Sequence, residues 1–228
     1  MFSVTKGGRE ALREIRRLEK AQNARNKGDK TAMERLWKED LTRAEASGDP
    51  LATAEALSHL GSELTNQGQY DEAEKVLRQA QEIARRVEGP AGFWSLGASN
   101  SLGLMCAKQG RIGDAESHLL DALHTVEKEL GPDHHRAAFE LLGLANFYHQ
   151  HGRRTDEIAA LERMIAIDEK QGVDPQNADA FEYTISLSLD RLAALYANEA
   201  RDAEAEALYR RLIDHFAQSK KSQPRTRW

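Results

Sequence analysis

From residue 205 to residue 216 the apolar side chains Ala205, Leu208, Tyr209, Leu212, Ile213 and Phe216 fall at i, i+3, i+4, i+7, i+8 and i+11. That spacing places all of them on one stripe of an α-helix. Ala73, Val76, Leu77, Ala80, Ile83, Ala84 and Val87 repeat the stripe earlier in the chain. The polar positions between them are mostly Glu, Arg, Lys and Gln, which favour helix, and runs rich in Val, Ile and Thr are absent. The pattern predicts an all-α chain of amphipathic helices.

The helices recur at a fixed distance. Leu60-Gly61, Gly68, Ala73, Leu77 and Ala80 return 42 residues later as Leu102-Gly103, Gly110, Ala115, Leu119 and Ala122. A further 42 residues on stand Leu144-Ala145, Gly152, Glu157, Leu161 and Met164, with Glu157 in the alanine position. A fourth copy, 48 residues beyond, holds Leu192-Ala193, Ala200, Ala205, Tyr209 and Leu212. The six extra residues are assigned to a loop at "QGVDPQ", residues 171–176. Each copy reads as a helical hairpin. Gly68 and Gly110 are expected to end its first helix in the left-handed conformation. Asp71 and Glu74 suggest a capping box at the start of the second helix. The small Ala73 and Ala115 let the two helices approach closely. Fixed-period repeats of this kind point to stacked units that bury their apolar stripes on one another. In residues 1–50, Leu12, Ile15, Leu18 and Ala21 predict one helix. Gly28-Asp29 breaks it, and Met33, Leu36, Trp37 and Leu41 predict a second. Asp49 and Pro50 then open the first repeat, as cap and first-turn proline.

The small residue after Leu, the Gly before the turn and the two alanines of the second helix resemble the tetratricopeptide repeat. Gly61, Gly68, Ala73 and Ala80 fill those positions in the first copy, and Gly103, Gly110, Ala115 and Ala122 in the second. The 42-residue period and the linker in "EKELGPDHHRAAFELLGLANFY", residues 127–148, resemble the long kinesin light chain type. The resemblance implies a right-handed superhelical solenoid of antiparallel helix pairs. The expected organisation is a degenerate capping hairpin at 1–50 and four repeats within 51–217, at about 51–92, 93–134, 135–177 and 178–217. A basic, flexible tail is expected at 218–228. It also implies that the first helix of each pair lines a concave groove. The residues expected to face a ligand there are Ser58, His59, Ser62, Thr65 and Asn66, then Asn100, Ser101, Leu104, Ala107 and Lys108. The third copy contributes Leu142, Gly143, Asn146, His149 and Gln150, and the fourth Asp190, Arg191, Ala194, Ala197 and Asn198. Asn both donates and accepts, so it suits the main chain of an extended peptide. Lys108, Arg191, His59 and His149 hint at an acidic or carboxylate-bearing segment.

Charge refines the picture. Residues 1–40 hold 11 Lys/Arg and 7 Asp/Glu, and residues 217–228 hold 4 basic residues and no acid. The whole chain carries −5, so its middle carries −13 between two +4 ends. An acidic body disfavours nucleic acid as a ligand. Basic ends against an acidic body offer a second reading, self-assembly into a homo-oligomer. His134-His135 and His149-x-His151 lack the spacing of a metal site, and no cysteine stands near them. His134 falls in the linker, where it suits turn and cap chemistry. Cys106 falls on a packed face and reads as core, not as a nucleophile. No phosphate loop or nucleophile elbow is present. The sequence therefore predicts no catalysis, no metal and no cofactor. With neither a long apolar segment nor a signal-peptide core, it predicts a cytoplasmic protein without membrane contact, acting as a scaffold or adaptor for a protein or peptide partner.

Overall fold

The computed structural model describes residues 19–20, 23–24, 26–171 and 178–222. Among these, nine long helices follow one another and no strand occurs. They are α1 (Lys30–Ser47), α2 (Pro50–Gln67), α3 (Tyr70–Glu88), α4 (Phe93–Lys108), α5 (Ile112–Leu130), α6 (His135–Gln150), α7 (Arg154–Gln171), α8 (Ala178–Asn198) and α9 (Asp202–Ser222). The fold is an all-α repeat of helix pairs. The starts of α3, α5 and α7 are 42 residues apart and α9 begins 48 after α7, the offsets read from the sequence. None of the helices described is long and apolar enough to cross a membrane. Most of the helix expected around Leu12–Ala21, most of the loop expected at 171–176 and residues 223–228 of the tail lie outside the described residues.

One turn is built four times. After α2, the Gly68 N–H donates to Thr65 O and the Gln69 N–H to Leu64 O, at 3.1 and 2.9 Å. This Schellman pair satisfies carbonyls that the helix end would otherwise leave bare. Gly110-Arg111, Gly152-Arg153 and Ala200-Arg201 close the same two bonds after α4, α6 and α8. The first residue of each pair must take a left-handed backbone. Gly68 does so at φ 79°, and Ala200 does so at φ 57° despite its side chain. The expected capping box is not what starts α3. Gln69 occupies the cap position, Asp71 is already helical, and Glu74 pairs with Arg78 at 2.6 Å. In the later copies the residue after the turn is Arg. Arg111, Arg153 and Arg201 reach the acid three residues on, Asp114, Asp156 and Glu204, at 2.6–2.8 Å. Asp49 does cap α2, accepting from the Leu51 and Ala52 N–H groups. Asp29 caps α1 through Ala32 N–H at 2.9 Å. His134 caps α6, its Nδ1 accepting from Arg136 N–H at 3.2 Å. Burial, with the neighbouring His135 and Arg136 charges, lowers the His134 pKa and keeps that nitrogen an acceptor.

The chain forms two compact units, residues 1–122 and 123–228. In the first, Leu57, Ala80 and Ala98 make a core against which Leu41, Val76 and Ile83 pack. Gly61 of α2 lies so close to α3 that a Cβ there would sit 2.5 Å from Leu77 Cγ. In the second, Leu144, Leu161, Met164 and Leu192 are buried between α6, α7 and α8. Ion pairs tie successive copies together, Arg163 to Glu127 and Arg211 to Glu169.

Candidate functional site

The third copy differs from the others at a buried position. Ala73, Ala115 and Ala205 are buried early in the second helix of their pairs, where small side chains let the helices close. Glu157 of α7 stands there in the third copy with 3% of its side chain exposed. A buried carboxylate needs charged and hydrogen-bonded partners. Arg191 of α8 supplies them, its Nε donating to Glu157 Oε1 at 2.6 Å. The rest of the guanidinium fans across α6. Nη1 donates to Asn146 Oδ1 at 2.7 Å and Nη2 to Ala145 O at 2.8 Å. His149 Nδ1 lies 3.0 and 3.2 Å from the two Glu157 oxygens. The structure thus gathers three of the expected ligand-facing residues, Asn146, His149 and Arg191, around one buried carboxylate. Arg191 is only 20% exposed, and its charge is matched inside the fold.

The other expected residues divide by location. Lys108 and Asn66, equivalent positions of adjacent copies, bond to each other at 2.8 Å on an exposed surface. His59 stacks on Trp37 with ring centroids 4.6 Å apart and lies 3.7 Å from Glu55. The Ser62 and Ser101 hydroxyls donate to their own helices, to Ser58 O and Gly97 O, both at 2.9 Å. Asn100 is half-buried, and Asn146, His149, Gln150 and Asn198 are exposed. Ser58 and Thr65 are buried and bond their own helix backbone.

Two helix-interior glycines stand in a different setting from the close-packed ones. A glycine in a helix interior costs roughly 1 kcal/mol relative to alanine. At Gly61 and Gly103 close packing accounts for it, because a Cβ would meet Leu77 or the Ala115 carbonyl and Leu119. At Gly97 and Gly143 a Cβ would meet nothing within 4 Å among the described residues. One turn before each of these open glycines stands an exposed phenylalanine, Phe93 at 58% and Phe139 at 66%. On α8, Leu187 occupies the position equivalent to Phe139 and is 50% exposed. The Phe-x-x-x-Gly spacing was legible, but neither exposure nor open space could be read from it.

Elsewhere the described residues hold no group of three or more metal-ligating side chains. Cys106 is buried and its thiol pKa is pushed up by that burial, as befits a core residue.

Comparison with known proteins agrees with this architecture. The tetratricopeptide repeat model matches residues 52–123 and 94–170, together just over half the chain. No curated protein sequence matches significantly. Among solved structures, BtubC (BKLC) from P. vanneervenii is similar, with TM-score 0.65 and 22% identity over 91% of this chain and 81% of that one. A kinesin light chain with nearly identical TPR-like repeats from Podosopora anserina superposes with TM-score 0.58 and 19% identity, over 92% and 98% of the two chains. A Rap protein complexed with Competence and Sporulation Factor matches at TM-score 0.51 and 14% identity, over 85% of this chain and 61% of that one. At these identities the likeness is one of fold. With the family model matching over residues 52–170, the chain belongs to the tetratricopeptide repeat family.

Proposed function

We propose that the chain is a non-enzymatic interaction module that takes a peptide or partner helix on the exposed face of its first helices. The carrying observation is Asn146. Its side chain is exposed while Arg191 holds its Oδ1, so the amide is fixed in one orientation before any ligand arrives. A carboxamide held this way presents its N–H donors to a main-chain carbonyl, and preorganisation spares the ligand the cost of ordering it. Asn66, Gln150 and Asn198 add three more exposed amides on the first helices of their copies. The family's repeat architecture supports the reading, as does the Rap protein of similar fold that is complexed with Competence and Sporulation Factor. A groove of many shallow contacts gives affinities near micromolar, about 8 kcal/mol.

The test is capture of partners by tagged protein, comparing wild type with Asn100→Ala/Asn146→Ala after circular dichroism confirms equal helicity. Loss of a captured partner from the double variant is the expected result. Equal retention would move the binding surface off the first helices.

A further inference from the structure

The second helix of each pair lends one row of side chains to the copy that follows. In α3 the row is Tyr70, Glu74, Leu77, Gln81 and Ala84. Two of its members bond α4, the first helix of the next copy. Tyr70 Oη donates to Lys108 O at 3.1 Å, and Gln81 Nε2 donates to Ser99 Oγ at 2.6 Å. In α7 the positions of Leu77 and Gln81 are taken by Leu161 and Ile165, both buried, and α7 packs on α8. In α9 they are taken by Tyr209 and Ile213. Among the described residues no helix follows α9. Tyr209 is 38% exposed and Ile213 66%. A repeat stack normally closes with a polar outer face. Helix α9 instead carries, on its surface, the kind of side chain that α7 buries against its neighbour.

Charge decides what covers this row. In full it reads Asp202, Glu206, Tyr209, Ile213, Phe216 and Lys220, four and three residues apart in alternation, and the helix runs unbroken to Ser222. That alternation is the seam of a helix that pairs with another along its length. The row begins acidic and ends basic. The charges beside it are matched within the chain: Glu206 pairs with Arg210 at 2.6 Å, and Arg211 pairs with Glu169 of α7. Asp214 is exposed but off the row. One antiparallel register sets Tyr209 opposite the partner's Ile213, and Asp202 opposite the partner's Lys220. The twofold repeats both contacts with the roles exchanged. A parallel pairing would set acid against acid and base against base.

We infer that the exposed row of α9 docks, antiparallel, on the same row of a second copy of this chain. Tyr209 and Ile213 form the apolar centre, and the Asp202–Lys220 pairs fix the direction at both ends. The row belongs to a second helix, not to the first helices proposed to take a peptide. One helix row per copy makes a small interface, so the dimer forms at micromolar to submillimolar concentrations.

The test is sedimentation equilibrium over that concentration range at low salt. It compares wild type, Ile213→Glu, Asp202→Lys, Lys220→Glu and an equimolar mixture of the two charge variants. Asp202 and Ile213 are exposed, and circular dichroism checks that every variant keeps its helicity. The expected result is a wild-type dimer that Ile213→Glu abolishes and that either charge variant alone weakens about tenfold. Mixing the two charge variants should restore it, because one copy then carries acid at both ends of the row and the other carries base at both. A wild-type monomer at every concentration would overturn the inference and leave the row to a different partner. A dimer indifferent to Ile213→Glu would overturn it by placing the contact elsewhere. Charge variants that do not weaken the dimer, or that mixing does not restore, would overturn the antiparallel pairing.

Discussion

The first compact unit closes its helix pairs with small apolar side chains, and the second closes one of its pairs around charge. In the first, Gly61 and Ala73 bring α2 against α3, with Leu77 and Val76 packed at Gly61. In the second, the equivalents are Ala145 and Glu157, and a guanidinium from the next copy is recruited to satisfy the carboxylate. A second acid follows the same trend. Asp168 is buried where the earlier copies have Val126 and Ala84, and burial pushes its pKa up to about 6. One repeat scaffold thus tolerates two interiors, one joined to its neighbouring copies by apolar packing and one by a buried ion pair. The charged interior makes the third copy depend on the fourth. It also consumes the arginine that the sequence alone offers as a ligand anchor.

The largest expected effect comes from splitting the charged interior. Arg191→Ala would leave Glu157 buried and under-compensated, a loss of about 3–5 kcal/mol measured by urea denaturation. The counterpart in the first unit, His59→Ala, touches no buried charge and should cost about 1 kcal/mol or less. Next is pH. The folded pKa of Asp168 lies above its unfolded value of 3.8, so the folded state binds the proton more tightly. Stability from this group is complete below pH 3.8 and is lost as pH rises through about 6. The loss is roughly 3 kcal/mol at neutral pH. Asp168→Val, which restores the residue type of Val126, should remove that slope and raise the midpoint at neutral pH. A slope unchanged in the variant would assign the pH dependence elsewhere. The smallest effect is at the turns. Three of the four Schellman turns use Gly, and the one that uses Ala200 pays for a left-handed backbone. Ala200→Gly should stabilise the second unit by about 1 kcal/mol, whereas Gly68→Ala in the first should destabilise by a similar amount.

The repeat was legible because it rests on local chemistry. Glycine at the turn, leucine in the stripe and alanine at the close approach each announce themselves within a few residues. Glu157 was visible as a departure from that pattern, but its partner was not. Arg191 lies 34 residues away, across the copy with the irregular 48-residue offset, and only the packed helices bring the two together. Asp168 left a signal in register, an acid beneath Val126 and Ala84, that the incomplete stripe of the third copy obscured. Asp71 and Glu74 have the spacing of a capping box but lie two positions too far along the chain, because the Schellman turn makes Gln69 the cap. Sequence register put Asn66, Lys108, Asn146 and Arg191 among the expected ligand-facing residues. It could not show that the two cations are engaged by Asn66 and Glu157.

A double-mutant cycle on Glu157 and Arg191, read by urea denaturation, tests most directly whether this charge belongs to the fold. If the two act as one unit, Glu157→Ala/Arg191→Ala restores the alanine found in the other three copies and returns stability to within about 1 kcal/mol of wild type, although Arg191→Ala alone loses several. Additive losses in the double variant would contradict this. They would leave Arg191 as a cation available to an acidic partner on the proposed binding face.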